Sequence, residues 1–159
     1  MTINLKGKIS VIAGTLLLIT LAACDFGSTM YHSYNPIPEK GWAKSDTLLF
    51  HVNIPDSLTP YKVSVEIRND NSYPYKNLYL FVSNNTKDST IFATDTIKYV
   101  VAEESGKWIG TGFGTLYQSG QPLGKFIPLH PGKYIFKVVH GMKDQFLQGI
   151  SDVGLRIEH

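Results

Sequence analysis

Tyr61-Lys62-Val63-Ser64-Val65-Glu66-Ile67-Arg68 alternates apolar and polar side chains without a fault. Successive side chains of a strand point to opposite faces, so this stretch reads as a β-strand with one buried face. Working backwards, Leu48, Phe50, Val52 and Ile54 share one face of a strand over 47–54, and Pro55 and Pro60 bracket the turn that follows. Working forwards, Leu78 to Ser83 is apolar on both faces and reads as a central strand, while Ile91 to Val101 supplies one or two more. Gly112 to Gln118, Lys133 to His140 and Ile150 to Glu158 complete the set, and only Gly141 to Gln148 has room for a helical turn or two. Seven or eight short strands with turn signals between them predict an all-β fold. The expected form is an antiparallel β-sandwich, immunoglobulin-like or jelly-roll in topology.

The alternation stops well short of the N-terminus. Residues 1–23 carry Lys6 and Lys8, no acid, and the apolar run Ile9 to Ala23, the composition of a secretory signal. They account for the whole formal charge of +2, because the 136 residues that follow hold 13 Lys and Arg against 13 Asp and Glu. A neutral working part gives no basic surface for nucleic acid. Leu21-Ala22-Ala23-Cys24 closes the apolar run and resembles a bacterial lipobox, whose cysteine is acylated and becomes the new N-terminus. Cys24 is the one cysteine of the chain, so no internal disulfide and no thiol nucleophile are expected. Acyl chains contribute about 0.8 kcal/mol per buried CH₂, so more than one chain anchors stably. Asp25 retains lipoproteins at the inner membrane in enterobacteria, but other phyla do not share that rule, and the leaflet stays open. Residues 24–41 hold Pro36, Pro38, Gly27 and Gly41 and few aliphatics, so they read as the lipidated N-terminus and a tether. The domain is expected over 42–159.

Catalytic patterns are missing from the sequence. None of His32, His51, His130, His140 and His159 lies in a zinc-protease motif, and there is no Gly-x-Ser-x-Gly elbow. Gly110-Thr111-Gly112-Phe113-Gly114 lacks the following Lys-Ser/Thr of a phosphate loop and reads as close backbone approach or a bulge. Glu103 and Glu104 are adjacent in a turn, which suits solvation and not a glycosidase pair. No catalytic residue, metal site or cofactor is expected.

Aromatic residues are more numerous than one small core requires, and sandwich domains bind sugars or peptides through such rings. Tyr73 and Tyr75, in the Pro74 turn, are the best exposed candidates, with Trp108 and Phe113 in the next glycine-rich turn. Asp46-Thr47-Leu48, Asp56-Ser57-Leu58, Asp88-Ser89-Thr90 and Asp95-Thr96-Ile97 resemble the periplasmic O-glycosylation acceptor of Bacteroidota. That makes Thr47, Ser57, Ser89 and Thr96 candidate sites.

Trp42, the stretch Ile67 to Leu80, Gly106-Lys107-Trp108-Ile109-Gly110-Thr111-Gly112-Phe113-Gly114, Pro131 to Phe136 and Gly149 to Glu158, in that order behind a lipobox, resemble the GldH family of gliding motility lipoproteins from Bacteroidota. The resemblance implies a non-catalytic, lipid-anchored cell-envelope protein of the outer membrane. It would support gliding and type IX secretion machinery through contacts with envelope or secretion proteins. The alternative is a carbohydrate-binding surface lipoprotein of a glycan-capture system, favoured if Trp and Tyr side chains line one open face.

Overall fold

The computed structural model describes residues 29–87 and 90–159. The expected signal, Cys24 and Ser89 lie outside them. The described chain is all-β: β1 (Thr29–Pro36), β2 (Trp42–Ala43), β3 (Leu48–Ile54), β4 (Tyr61–Asn69), β5 (Asn77–Asn84), β6 (Ala93–Val100), β7 (Thr111–Phe113), β8 (Leu116–Phe126), β9 (Gly132–His140), β10 (Phe146–Leu147) and β11 (Ile150–Glu158).

One sheet has the order β1-β11-β4-β8-β7, the other β3-β9-β5-β6, and β10 pairs with β2 beside them. Every pairing is antiparallel. Counting only the strands of seven residues or more, the orders are first-eighth-third-sixth and second-seventh-fourth-fifth. That is the double Greek key of a jelly roll, so of the two expected topologies the jelly roll is the one formed.

Alternation explains the core. Val63, Val65 and Ile67 of β4 and Val153, Leu155 and Ile157 of β11 face Phe50, Val52, Leu80, Val82, Phe136 and Val138 across the sandwich, each 6% exposed or less. Each such side chain contributes about 1.5–3 kcal/mol by leaving water. Trp42, fully enclosed, closes one end, with its Nε1 donating to the Asp46 carbonyl at 3.2 Å and its ring 5.2 Å from that of His140.

Register divides the molecule into two ends. Thr29 stands opposite Glu158, Glu158 opposite Lys62, and Lys62 opposite Lys125. Ile54 stands opposite Gly132 and Asn84 opposite Ala93. The start of β1, the loops 55–60 and 127–131, the described loop residues 85–87 and 90–92, and the C-terminus therefore share one end, the proximal end. The loops 70–76, 101–110 and 141–149 lie at the other, the distal end.

Four expectations are corrected. Thr29–Pro36, expected within a tether over 24–41, is a strand paired with β11 along most of its length. Gly112–Gln118, read as one strand, is a hairpin of β7 and β8, and β8 runs on to Phe126. Leu78 to Ser83 is buried on one face alone, with Tyr79 and Phe81 turned to solvent. Residues 141–148 form no helical turn but bends leading into β10.

Candidate functional site

The two turns expected to carry partner contacts are joined at the distal end. After β6, Glu103 to Gly106 makes a tight turn, with the Gly106 N–H donating to the Glu103 carbonyl at 2.9 Å and Gly106 in the left-handed region. The returning chain is pinned by the Ile109 N–H on the Val101 carbonyl at 2.9 Å and by a bridge between Ala102 and Trp108. This aims the Trp108 indole at the turn after β4, where its Nε1 donates to the Asn71 Oδ1 at 2.9 Å. The Trp108 ring also packs near Tyr73 and Tyr117, with centroids 6.4 and 6.1 Å away.

That second turn is itself rigid. The Asp70 Oδ1 accepts the Ser72 N–H at 2.7 Å, and the Tyr73 hydroxyl donates to the Asn77 carbonyl at 2.9 Å. Gly149, with φ +79°, lies against the Tyr73 backbone where no Cβ fits. Tyr73 was expected to be exposed, but it is 3% exposed, and burial lifts its phenol well above the ordinary range. It is the floor of the site and not its contact surface. Tyr75, 38% exposed, stays open to solvent: its hydroxyl donates to the Asp144 carboxylate at 3.0 Å, which raises the phenol above its usual value. Lys76 pairs with Glu104 at 2.8 Å, tying the two turns at their rim. Trp108 is half-buried, and Phe113 ends β7 in the adjoining hairpin. An open groove of about 400 Å³, lined by Arg68, Thr111, Gly112, Leu116 and Gln118, continues from the hairpin across the sheet face.

A polar network on the outer face of the five-stranded sheet was not read from the sequence. Glu66 points outward from β4, yet it is 6% exposed. Its neighbours in register on β11 and β8 are Gly154 and Gly120, which leave room above the sheet. Tyr34, beside Gly154 on β1, lies across that gap and donates its hydroxyl to the Glu66 carboxylate. His32 Nε2 reaches the same oxygen at 2.9 Å and the Arg156 guanidinium stands 3.7 Å from the other. The Arg68 guanidinium stacks 3.8 Å over the Tyr34 ring and bonds Gln118 at 3.0 Å. Burial acts to raise the Glu66 carboxyl, but the bonds from Tyr34 and His32 and the nearby positive charges outweigh it and hold it below the usual range. The arrangement latches β1 to β4 across β11. His32 and Tyr34, two residues apart, were the available signal, hidden because they stood in an expected tether.

Among the remaining expectations, Thr47 and Thr96 are exposed, Ser57 is half-buried, and His51 is an exposed strand residue. His140 is 1% exposed, with Nε2 on the Trp42 carbonyl at 3.1 Å, and burial depresses its pKa. Gly110 sits where its missing Cβ would meet the Gln118 backbone, the close approach expected of that glycine run. Among the described residues no cluster of three or more His, Cys, Asp or Glu is arranged to hold a metal ion.

Comparison with known proteins supplies the family. The model of the GldH lipoprotein family matches residues 29–157. A gliding motility lipoprotein GldH homolog of Christiangramia forsetii is 30% identical over 97% of this chain and 98% of its own. The gliding motility lipoprotein GldH of Flavobacterium johnsoniae is 30% identical over 92% of this chain and 95% of its own. Among solved structures, the sugar-binding C-terminal domain of EclA overlaps 87% of this chain and 83% of its own at a TM-score of 0.38 and 14% identity, too loose for any inference.

Proposed function

The chain belongs to the GldH lipoprotein family, and we propose that it is a non-catalytic lipoprotein of the outer membrane, anchored through acylated Cys24, that serves gliding and type IX secretion machinery by protein contact. The observation that carries the contact surface is the meeting of the two turns around Trp108 at the end of the sandwich farthest from Thr29. Recognition needs groups held in place before the partner arrives, and the bonds of Trp108, Tyr73 and Tyr75 hold this surface rigid. Aromatic anchors with polar neighbours are the residues that dominate protein interfaces. The lipid anchor adds a raised effective concentration near partners in the same membrane. The carbohydrate alternative has less support, because Trp42 and Tyr73 are enclosed and leave Tyr75, Phe146 and part of Trp108 as separate distal aromatic groups.

The test is affinity purification of the lipidated protein from crosslinked cells. Envelope or secretion components recovered with the native chain, and lost with Tyr75→Ala and Trp108→Ala together while folding is kept, support the reading. Unchanged recovery with the double variant removes the distal surface from it. Palmitate-analogue labelling that survives Cys24→Ala removes the anchor.

A further inference from the structure

The most exposed large apolar side chains of the described molecule are not spread over it. Leu58 is 87% exposed, Ile91 65%, Ile127 61% and Leu129 60%, while no other exceeds 48%. All four stand on the proximal end, in three different loops brought together by the jelly-roll topology. A group of exposed aliphatics marks a surface that meets something apolar.

The loop carrying Leu58 holds it there by design of its bonds. Asp56 accepts the N–H groups of Leu58 and Thr59 at 3.4 and 3.1 Å, and the buried Tyr61 donates its hydroxyl to the same carboxylate at 3.1 Å. The leucine is thus presented outward by a braced turn. Lys62, Lys87, Lys125 and Lys133 surround the aliphatics, and among the described residues none of them has an ion-pair partner. Of the described acidic side chains at this end, beside the C-terminal carboxylate of His159, Glu158 pairs with Arg156 at 2.8 Å, Asp56 is engaged in its turn, and Asp95 lies at a cleft of about 310 Å³ whose walls include Leu123, Phe126 and Phe136. The cleft opens the edge of the core at this end, with Lys87 and Lys125 also on its walls.

The length of the lead segment decides what covers this end. Thr29 begins β1 at the proximal end, and Cys24 is only five residues before it. Five residues at full extension span about 17 Å, less than the length of one long strand. An acylated Cys24 then holds the proximal end close to the bilayer, with no spacer to clear it.

We propose that the proximal end is a membrane-docking face: Leu58, Ile91, Ile127 and Leu129 enter the interface of the leaflet that holds the anchor, and the surrounding lysines meet anionic head groups. This rests on the acylation of Cys24 proposed above. It assigns the domain a fixed orientation, distal turns outward.

The experiment uses the full lipidated protein in vesicles of phosphatidylethanolamine and phosphatidylglycerol. A fluorophore is placed on His130→Cys, at the proximal end, or on Glu104→Cys, at the distal end, and intact mass reports acylation of Cys24 in the same sample. The expected result is quenching by nitroxide on the lipid acyl chains at position 130 and none at position 104. That quenching is lost when Leu58→Ser, Ile127→Ser and Leu129→Ser are combined, all exposed positions that leave the fold intact. Acyl mass on Cys24 with no lipid quenching at position 130 overturns the docking while the anchor stands. A label at position 130 shielded from aqueous iodide but not quenched by lipid means that a protein, a second copy or another chain, covers this end, and also overturns it. No acyl mass on Cys24 removes the anchor and the docking with it.

Discussion

The two ends of this sandwich differ in their most prominent apolar side chains, although the distal end also leaves Phe146 and Ile109 partly in solvent. At the distal end Trp42 and Tyr73 are enclosed, and Trp108 and Tyr75 are tied by hydrogen bonds to Asn71 and Asp144. At the proximal end Leu58, Ile91, Ile127 and Leu129 stand in solvent on loops without such ties to their side chains. Aliphatic groups left in water gain nothing for the fold, whereas the distal rings stabilise it and present a shaped polar edge. On the proposed reading, the distal surface suits a specific protein partner and the proximal one a fluid, unspecific partner. Between them the latch of His32, Tyr34 and Glu66 fastens the first strand, β1, to the body of the domain.

The distal end depends most on Trp42. Trp42→Ala empties the distal plug and is expected to cost about 3–5 kcal/mol, read by urea denaturation. A loss below 1 kcal/mol would mean that the distal end is not braced by its core. Gly154→Ala comes next. Its Cβ would stand 2.6 Å from the Tyr34 ring, so the ring must leave Glu66. The expected cost is about 1–3 kcal/mol, accompanied by faster amide exchange in β1, and unchanged exchange there would remove the latch.

The pH dependence separates the distal plug from the latch. His140 is held neutral by burial, so its folded pKa lies below the unfolded 6.5. As pH falls below that value the unfolded chain takes up a proton that the folded chain does not, and stability drops by up to about 1.4 kcal/mol per pH unit until the folded pKa is reached. Glu66 has a folded pKa below 4.5, so its contribution is present above that pH and is lost as pH falls through the lower folded value. His140→Phe is expected to flatten the upper window and leave the lower one in place, measured as the denaturation midpoint against pH. The smallest effect is Leu58→Ser, expected within about 0.5 kcal/mol of the native chain. A larger loss would make Leu58 part of the fold and not a free surface.

Much of this architecture was legible in the alternation of the sequence. Tyr61 to Arg68, Lys133 to His140 and Ile150 to Glu158 were read within a residue of β4, β9 and β11. The strands that escaped have polar inward positions. In β1 Ser33 and Asn35 stand opposite the buried Leu155 and Val153, and Asn35 bonds the Leu49 carbonyl at 3.1 Å. In β8 Ser119 faces inward to the Tyr99 hydroxyl at 3.0 Å and Gln121 to the Lys98 carbonyl at 3.2 Å. Hydrogen bonds across the sandwich replace apolar packing there, so hydrophobic period carries no signal. The two distal turns were readable separately, but the bond joining Asn71 to Trp108 spans 37 residues and depends on the fold. Glu66 looked like an ordinary outward position because nothing local reveals the two glycines flanking it on other strands.

Site-specific photocrosslinking in living cells, with the reactive group at Tyr75 or at His130 in the otherwise native lipoprotein, tests the division of labour between the ends most directly. Protein adducts are expected from position 75 and lipid adducts alone from position 130. Protein adducts from position 130 together with none from position 75 would contradict it.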